Sequence, residues 1–65
     1  MKINTFAEIL DTVVENGRVL AHDDGTFVTA SLIAEVEFEA HERGLSPAEM
    51  SEAIAFATAH SSHHE

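Results

Sequence analysis

The fold class depends on one stretch of sequence, Arg18-Val19-Leu20-Ala21-His22-Asp23-Asp24-Gly25-Thr26-Phe27-Val28-Thr29-Ala30. Two runs that are rich in β-branched and aromatic residues flank an Asp-Gly pair, which is the pattern of a β-hairpin with a tight turn. Because two strands alone are marginal in water, we expect the hairpin to pack on helices.

A helix is predicted on each outer side of this hairpin. Upstream, apolar residues recur at the i, i+3, i+4 spacing of an amphipathic helix: Phe6, Ile9, Leu10, Val13 and Val14. We place this helix at 5–16, with Thr5 or Asn4 as its N-cap and Gly17 just after its end. Downstream, Ser46-Pro47-Ala48-Glu49 is typical of a helix start with a capping box, and this helix should run to about His60.

Residues 31–44 allow two interpretations. The run from Ala34 to Ala40 alternates apolar and polar residues, which is a strand pattern, but Ala, Glu and Leu favour helix and Gly44 follows as a stop. We favour the helix. The expected architecture is therefore α+β, ordered helix, β-hairpin, helix, helix, as one compact domain over residues 1–60 with a frayed tail at 61–65.

Composition limits the possible functions. The chain has 65 residues, 12 acidic and 3 basic side chains, a formal charge of −9 and no cysteine. Such a charge opposes direct binding to nucleic acid, where cationic side chains must displace counterions, and favours basic protein surfaces. No apolar run resembles a signal peptide or approaches membrane-spanning length, so we expect a cytoplasmic protein without membrane contact, as a monomer rather than a homodimer.

The acidic residues fall into rows that contain no lysine. One predicted row lies on the first helix, a second lies on the helix after the hairpin, and two aspartates lie at the hairpin tip: Glu8, Asp11, Glu15, Glu35, Glu39, Glu42, Asp23 and Asp24. If residues 33–40 formed a strand, the second row would instead comprise Glu35, Glu37 and Glu39. Any single carboxylate here is best explained as solvated surface, whereas rows of one sign suit a basic groove.

The sequence contains no residue set typical of catalysis. His22 beside Asp23 lacks a linked nucleophile, and no Gly-rich phosphate loop is present. His60 and His64 have i, i+4 spacing but lie at the terminus, so adventitious metal binding is the better interpretation. We expect a protein that is not an enzyme and has no cofactor and no metal site.

Residues 42–54 resemble a helix-turn-helix, because a helix should end at Gly44 and another should begin at Pro47. A DNA reader needs cationic or amide side chains at the front of its second helix, and this one offers Glu49, Ser51 and Glu52. We interpret the segment as two packed helices. The alternative function is a regulatory or scaffolding interaction module of helix-turn-helix ancestry, binding through an apolar patch at Phe38 and Phe56.

Small size, the absence of cysteine, strong acidity and the expected compact α+β order together resemble the anti-CRISPR proteins of phages and mobile elements. The segments Met1-Lys2-Ile3-Asn4-Thr5-Phe6-Ala7-Glu8-Ile9-Leu10 and Ser46-Pro47-Ala48-Glu49-Met50 look most like a type I-C anti-CRISPR from Pseudomonas. The resemblance implies a phage protein that mimics DNA and occupies a basic DNA-binding channel of a crRNA-guided surveillance complex, the type I-C Cascade, in the bacterial cytoplasm. It implies no catalytic residues.

Overall fold

The computed structural model describes the backbone of residues 2–61 and the side chains of residues 5–60. It consists of three helices: α1 (Lys2–Glu15), α2 (Thr29–Glu42) and α3 (Pro47–Ser61). Within the described residues there is no strand and no sheet, so the predicted α+β class with a β-hairpin is wrong and the fold is helical. The three predicted helices are confirmed, including the helical interpretation of residues 31–44.

The predicted hairpin forms only in part: its turn closes, and the N–H of Val28 donates across to Leu20 O at 2.8 Å. The peptide N–H of Gly25 donates to His22 O at 3.0 Å, that of His22 donates to Thr26 O at 2.7 Å, and Ala21 pairs with Phe27 in an isolated antiparallel bridge. Residues on both sides of the turn also contact the helices. Residues 16–28 therefore form a loop, called here the α1–α2 loop.

The outer residues of both predicted strands also pack against the helices or hydrogen-bond to them. Val19 is buried in the core, and the N–H of Leu20 donates to Ser31 Oγ at 2.9 Å. On the other side, Val28 is the N-cap of α2, and its carbonyl accepts the first helical hydrogen bond from Leu32 at 2.9 Å. The cross-strand contacts thus stop at one isolated bridge and its flanking hydrogen bonds, and a short hairpin without a sheet is marginal in water.

The core lies where one face of each helix meets the others. It contains apolar side chains from all three helices and one from the α1–α2 loop: Phe6, Ile9, Val13, Val19, Leu32, Val36, Ala40, Ala53 and Ala57. The predicted apolar face of α1 is confirmed, because its five residues are all buried or packed against this core. On α2 and α3 the fully buried positions include three alanines, which allow the two helices to approach closely.

Both helix ends that precede a loop close in the same way. After α1, the N–H of Gly17 donates to Val14 O and that of Arg18 donates to Val13 O, each at 3.1 Å. After α2, Gly44 donates to His41 O at 3.0 Å and Leu45 to Ala40 O at 3.1 Å. These are Schellman motifs, and their glycines have φ values of 68° and 80°.

The start of α3 matches the predicted capping box. The N–H of Ser46 donates to Glu49 Oε1 at 3.0 Å, and the N–H of Glu49 donates to Ser46 Oγ at 3.2 Å. At α1 the prediction was less accurate, because the helix begins at Lys2 and Thr5 therefore lies inside it. Residues 62–65, which make up most of the predicted tail, lie outside the described residues, and Ser61 ends α3.

Replacing Gly44 by alanine should lower the free energy of unfolding by about 1–2 kcal/mol, because a Cβ is unfavourable at a left-handed φ of 80°. No atom lies within 4 Å of the added Cβ, so the cost is conformational rather than steric contact with neighbours. Urea denaturation followed by circular dichroism measures it. Gly44→Asn is the matched control and should lose less, since asparagine tolerates this conformation; equal losses would contradict the explanation.

Candidate functional site

The predicted acidic residues fall into two groups in the structure. On α1, Glu8, Asp11 and Glu15 are exposed on the face opposite the core, as predicted. On α2, Glu42 is exposed, but Glu35 and Glu39 are partly buried and engaged by arginines. The α2 row is therefore not a free line of negative charge.

Arg18, in the α1–α2 loop, reaches across to α2. Its Nε donates to Glu35 Oε1 at 2.9 Å, and its Nη1 donates to Glu39 Oε1 at 3.0 Å. Its Nη2 is buried and has no hydrogen-bond acceptor among the described residues. The guanidinium carbon lies 5.5 Å from the centre of the Phe38 ring, within the range of a cation–π interaction.

Arg43, just after α2, extends the same network to α1. Its Nε donates to Glu39 Oε2 at 3.0 Å, its Nη1 donates to Glu8 Oε1 at 3.3 Å, and its Nη2 donates to Thr12 Oγ1 at 3.2 Å. Glu39 thus binds one arginine with each carboxylate oxygen. The network joins the α1–α2 loop, α2 and α1.

The pKa values of two residues in this network, Glu39 and Arg18, shift in the direction that favours their charged forms. Hydrogen bonds from Arg18 and then from Arg43 lower the pKa of the Glu39 carboxyl below its ordinary value of 4.5. Hydrogen bonds to Glu39 and then to Glu35 raise the pKa of Arg18. Both shifts favour the ion pair between Arg18 and Glu39.

The two aspartates at the tip of the α1–α2 loop are exposed but differ in their contacts. Asp24 Oδ1 accepts hydrogen bonds from the Thr26 N–H at 3.0 Å and from the Thr26 hydroxyl at 2.7 Å. These bonds, led by the one from the backbone, lower the pKa of Asp24. Asp23 makes no ion pair within residues 5–60.

Both arginines are therefore held in ion pairs with Glu8, Glu35 and Glu39, and within residues 5–60 neither arginine pairs with another acidic side chain. Several exposed carboxylates make no ion pair within residues 5–60: Asp11, Glu15, Asp23, Asp24, Glu37, Glu42 and Glu52. Of the predicted set, the side chain of Glu8 is 68% exposed despite its contact with Arg43.

An apolar groove lies between α2 and α3. It has a volume of about 340 Å³ and is lined by Ala34, Glu37, Phe38, His41 and Met50. Phe38 is 57% exposed, as its predicted position off the main apolar face of α2 implied. The groove itself was not predicted, although Ala34, Phe38 and His41 have the i, i+4, i+7 spacing of one helical face.

The α2–turn–α3 segment has the predicted helix-turn-helix order, but its second helix begins without cationic side chains. Glu49 is used in the capping box, and Ser51 and Glu52 are exposed. Phe56 is partly buried and stacks on His60, with ring centres 4.0 Å apart. Within the described residues no group of three or more His, Asp or Glu side chains is placed to hold a metal ion; His63 and His64 lie outside them.

Comparison with known proteins does not add a family. No protein-family model, no curated protein and no solved structure matches the chain. In the part of the chain that the structure describes, no helix is long and apolar enough to cross a membrane. Function must therefore be inferred from the surface itself.

Proposed function

We propose that this protein is a non-catalytic inhibitor whose acidic surface occupies a basic nucleic-acid-binding surface of another protein. The proposed partner is a type I-C crRNA-guided surveillance complex in the cytoplasm of a bacterial host, where the inhibitor would act as an anti-CRISPR by blocking DNA binding. The target class comes from the resemblance of the sequence, whereas the mode of binding comes from the charge distribution.

One observation supports the mode of binding above all others. Arg18 and Arg43 are both held in ion pairs with Glu8, Glu35 and Glu39, so neither pairs with the exposed carboxylates of Asp11 and Glu15 on α1 or of Asp23 and Asp24 at the loop tip. A surface of one sign attracts a basic groove at long range and raises the rate of association. It also repels DNA, so the protein is expected to compete with nucleic acid and not to bind it.

The proposal is tested by competition for DNA. Purified type I-C surveillance complex is mixed with fluorescent target DNA, and the protein is titrated while anisotropy is recorded. We expect stoichiometric loss of DNA binding. Direct association of protein and complex should weaken strongly as salt is raised, since the Debye length falls from about 8 Å near physiological salt to about 3 Å at 1 M. Unchanged DNA binding at excess protein would contradict the proposed target.

A pair of charge-matched variants separates a specific acidic surface from net charge. Asp11→Asn combined with Glu15→Gln removes two carboxylates from the exposed face of α1, and should weaken inhibition by about tenfold or more. Glu42→Gln combined with Glu52→Gln removes the same charge outside α1, the loop tip and the groove between α2 and α3, and should have a much smaller effect. Equal effects would show that only net charge matters.

Glu35 and Glu39 are unsuitable positions for this test. Both bind Arg18, and Glu39 also binds Arg43, so reversing them to lysine would disrupt the ion pairs of the fold together with the surface charge. Asp11 and Glu15 make no ion pair within residues 5–60, and their replacement leaves the network intact. Circular dichroism of each variant checks that the helices are retained.

A further inference from the structure

We infer that the groove between α2 and α3 is a docking site for a cationic amphipathic helix of a partner protein. An apolar side chain of that helix would enter the groove beside Phe38, and a neighbouring lysine or arginine would pair with Glu37. This inference does not depend on the proposed inhibition of DNA binding, because the partner need not bind nucleic acid.

The shape of the groove fits one side of a helix. Ala34, Glu37, Phe38 and His41 lie along a single face of α2, and Met50, at the start of α3, closes the other side. A face with this i, i+3, i+4, i+7 spacing is the arrangement that receives an amphipathic helix. Methionine is flexible and polarizable, so Met50 can adapt to the apolar side chain that enters.

Phe38 is an exposed aromatic residue that does not belong to the buried core. Val36 and Ala40, its neighbours on α2, are fully buried, whereas Phe38 is 57% exposed. The ring is also supported from one side, because Arg18 lies 5.5 Å from its centre and is itself held by Glu35 and Glu39. An aromatic ring that is exposed and held in place is typical of the anchor residues of protein interfaces.

Charge complementarity decides between the possible occupants. Glu37 lines the groove and makes no ion pair within residues 5–60, and the whole chain carries a formal charge of −9. A cationic helix neutralises Glu37 and is attracted by the surrounding field. A second copy of the chain would bring the same negative charge against itself, and an acidic helix would be repelled.

The test uses the full chain and three labelled helical peptides of about 18 residues. The first carries lysine on its polar face and leucine on its apolar face, the second has alanine in place of leucine, and the third has glutamate in place of lysine. Fluorescence anisotropy near physiological salt should show that the first peptide binds at least about tenfold more tightly than either of the others. Amide chemical shifts should move at Ala34, Phe38 and His41.

Three variants locate the binding. Phe38→Ala should weaken binding of the first peptide by about tenfold, and Ala34→Gln should do the same by filling the groove while leaving the ring in place. Leu20→Ala removes a large apolar side chain that is 66% exposed and does not line the groove, and it should leave affinity unchanged. Circular dichroism confirms folding, and Ala34→Gln decides the matter if Phe38→Ala is unfolded.

Three outcomes would overturn the inference. Equal binding of the leucine and alanine peptides would show that charge alone attracts them. Unchanged affinity in the folded groove variants would place the site elsewhere. Sedimentation velocity that reveals a dimer abolished by Phe38→Ala would assign the groove to a second copy. The inhibition experiment is independent of all three, because its critical positions are Asp11 and Glu15.

Discussion

Leu32→Ala is expected to lower the free energy of unfolding by about 2–5 kcal/mol, the range for truncating a buried leucine. Leu32 is 2% exposed and lies in the core among side chains of all three helices. A domain of this length has a total stability of about 3–10 kcal/mol, at roughly 0.05–0.15 kcal/mol per residue. The urea unfolding transition of the variant, measured by circular dichroism, should therefore shift to a much lower urea concentration.

Leu20→Ala is the matched control, because it makes the same chemical change at a position that is 66% exposed. Its effect should stay within about 0.5 kcal/mol, as for most surface substitutions. The pair also tests the fold, since the predicted hairpin placed Leu20 in a strand packed on helices. A large loss in Leu20→Ala together with a small loss in Leu32→Ala would contradict the three-helix structure.

The helices could be predicted from the sequence because their signals are local. The spacing of Phe6, Ile9 and Val13 defines the buried face of α1, and the capping box of Ser46 and Glu49 defines the start of α3. Gly17 and Gly44 follow α1 and α2 closely, and both adopt the left-handed conformation that a Schellman motif requires. Each of these signals depends on residues within one or two helical turns.

The hairpin prediction failed because it depended on competition between distant contacts. The Asp23-Asp24-Gly25 turn does form, so the local signal was correct. The flanking residues, however, contact the helices: Val19 is buried in the helical core, and Val28 is the N-cap of α2. Strand propensity measures how well a side chain fits a half-buried pleated surface, and here a buried helical surface is available instead.

The acidic residues of the candidate site could be identified from the sequence, but their ion pairs could be predicted only in part. The Glu39–Arg43 pair has i, i+4 spacing and could have been identified from the sequence. Arg18 is 17 residues from Glu35 in the chain, and only the path of the α1–α2 loop brings them together. Because of that long-range contact, Glu35 and Glu39 form ion pairs within the protein and are not part of the proposed binding surface. Asp11, Glu15, Asp23 and Asp24 remain exposed on α1 and the loop tip.

Glu39→Gln is expected to lower the free energy of unfolding by about 2 kcal/mol, within the range for a hydrogen bond to a charged group. The Glu39 side chain is 16% exposed, and its two oxygens bind Arg18 and Arg43 separately. Glutamine must replace one oxygen with an NH2 group, so one arginine would face a donor instead of an acceptor. Urea denaturation at neutral pH measures the loss.

The same variant should flatten the dependence of stability on acid. The pKa of Glu39 is lower in the folded protein than its ordinary value of 4.5, so its contribution is present above that value and is lost as the pH falls towards the folded pKa. Below about pH 5, the difference between the wild-type protein and Glu39→Gln should therefore shrink. Some acid dependence should remain, because the pKa of Asp24 is also lowered.

Glu37→Gln is the control on the same helix, because Glu37 is exposed and makes no ion pair within residues 5–60. It removes an identical charge and should change stability by less than about 0.5 kcal/mol at neutral pH. If both variants lost little, the network would behave like the many surface ion pairs that contribute nothing measurable. A large loss only in Glu39→Gln would show that the ion pairs of Glu39 with Arg18 and Arg43 stabilise the fold.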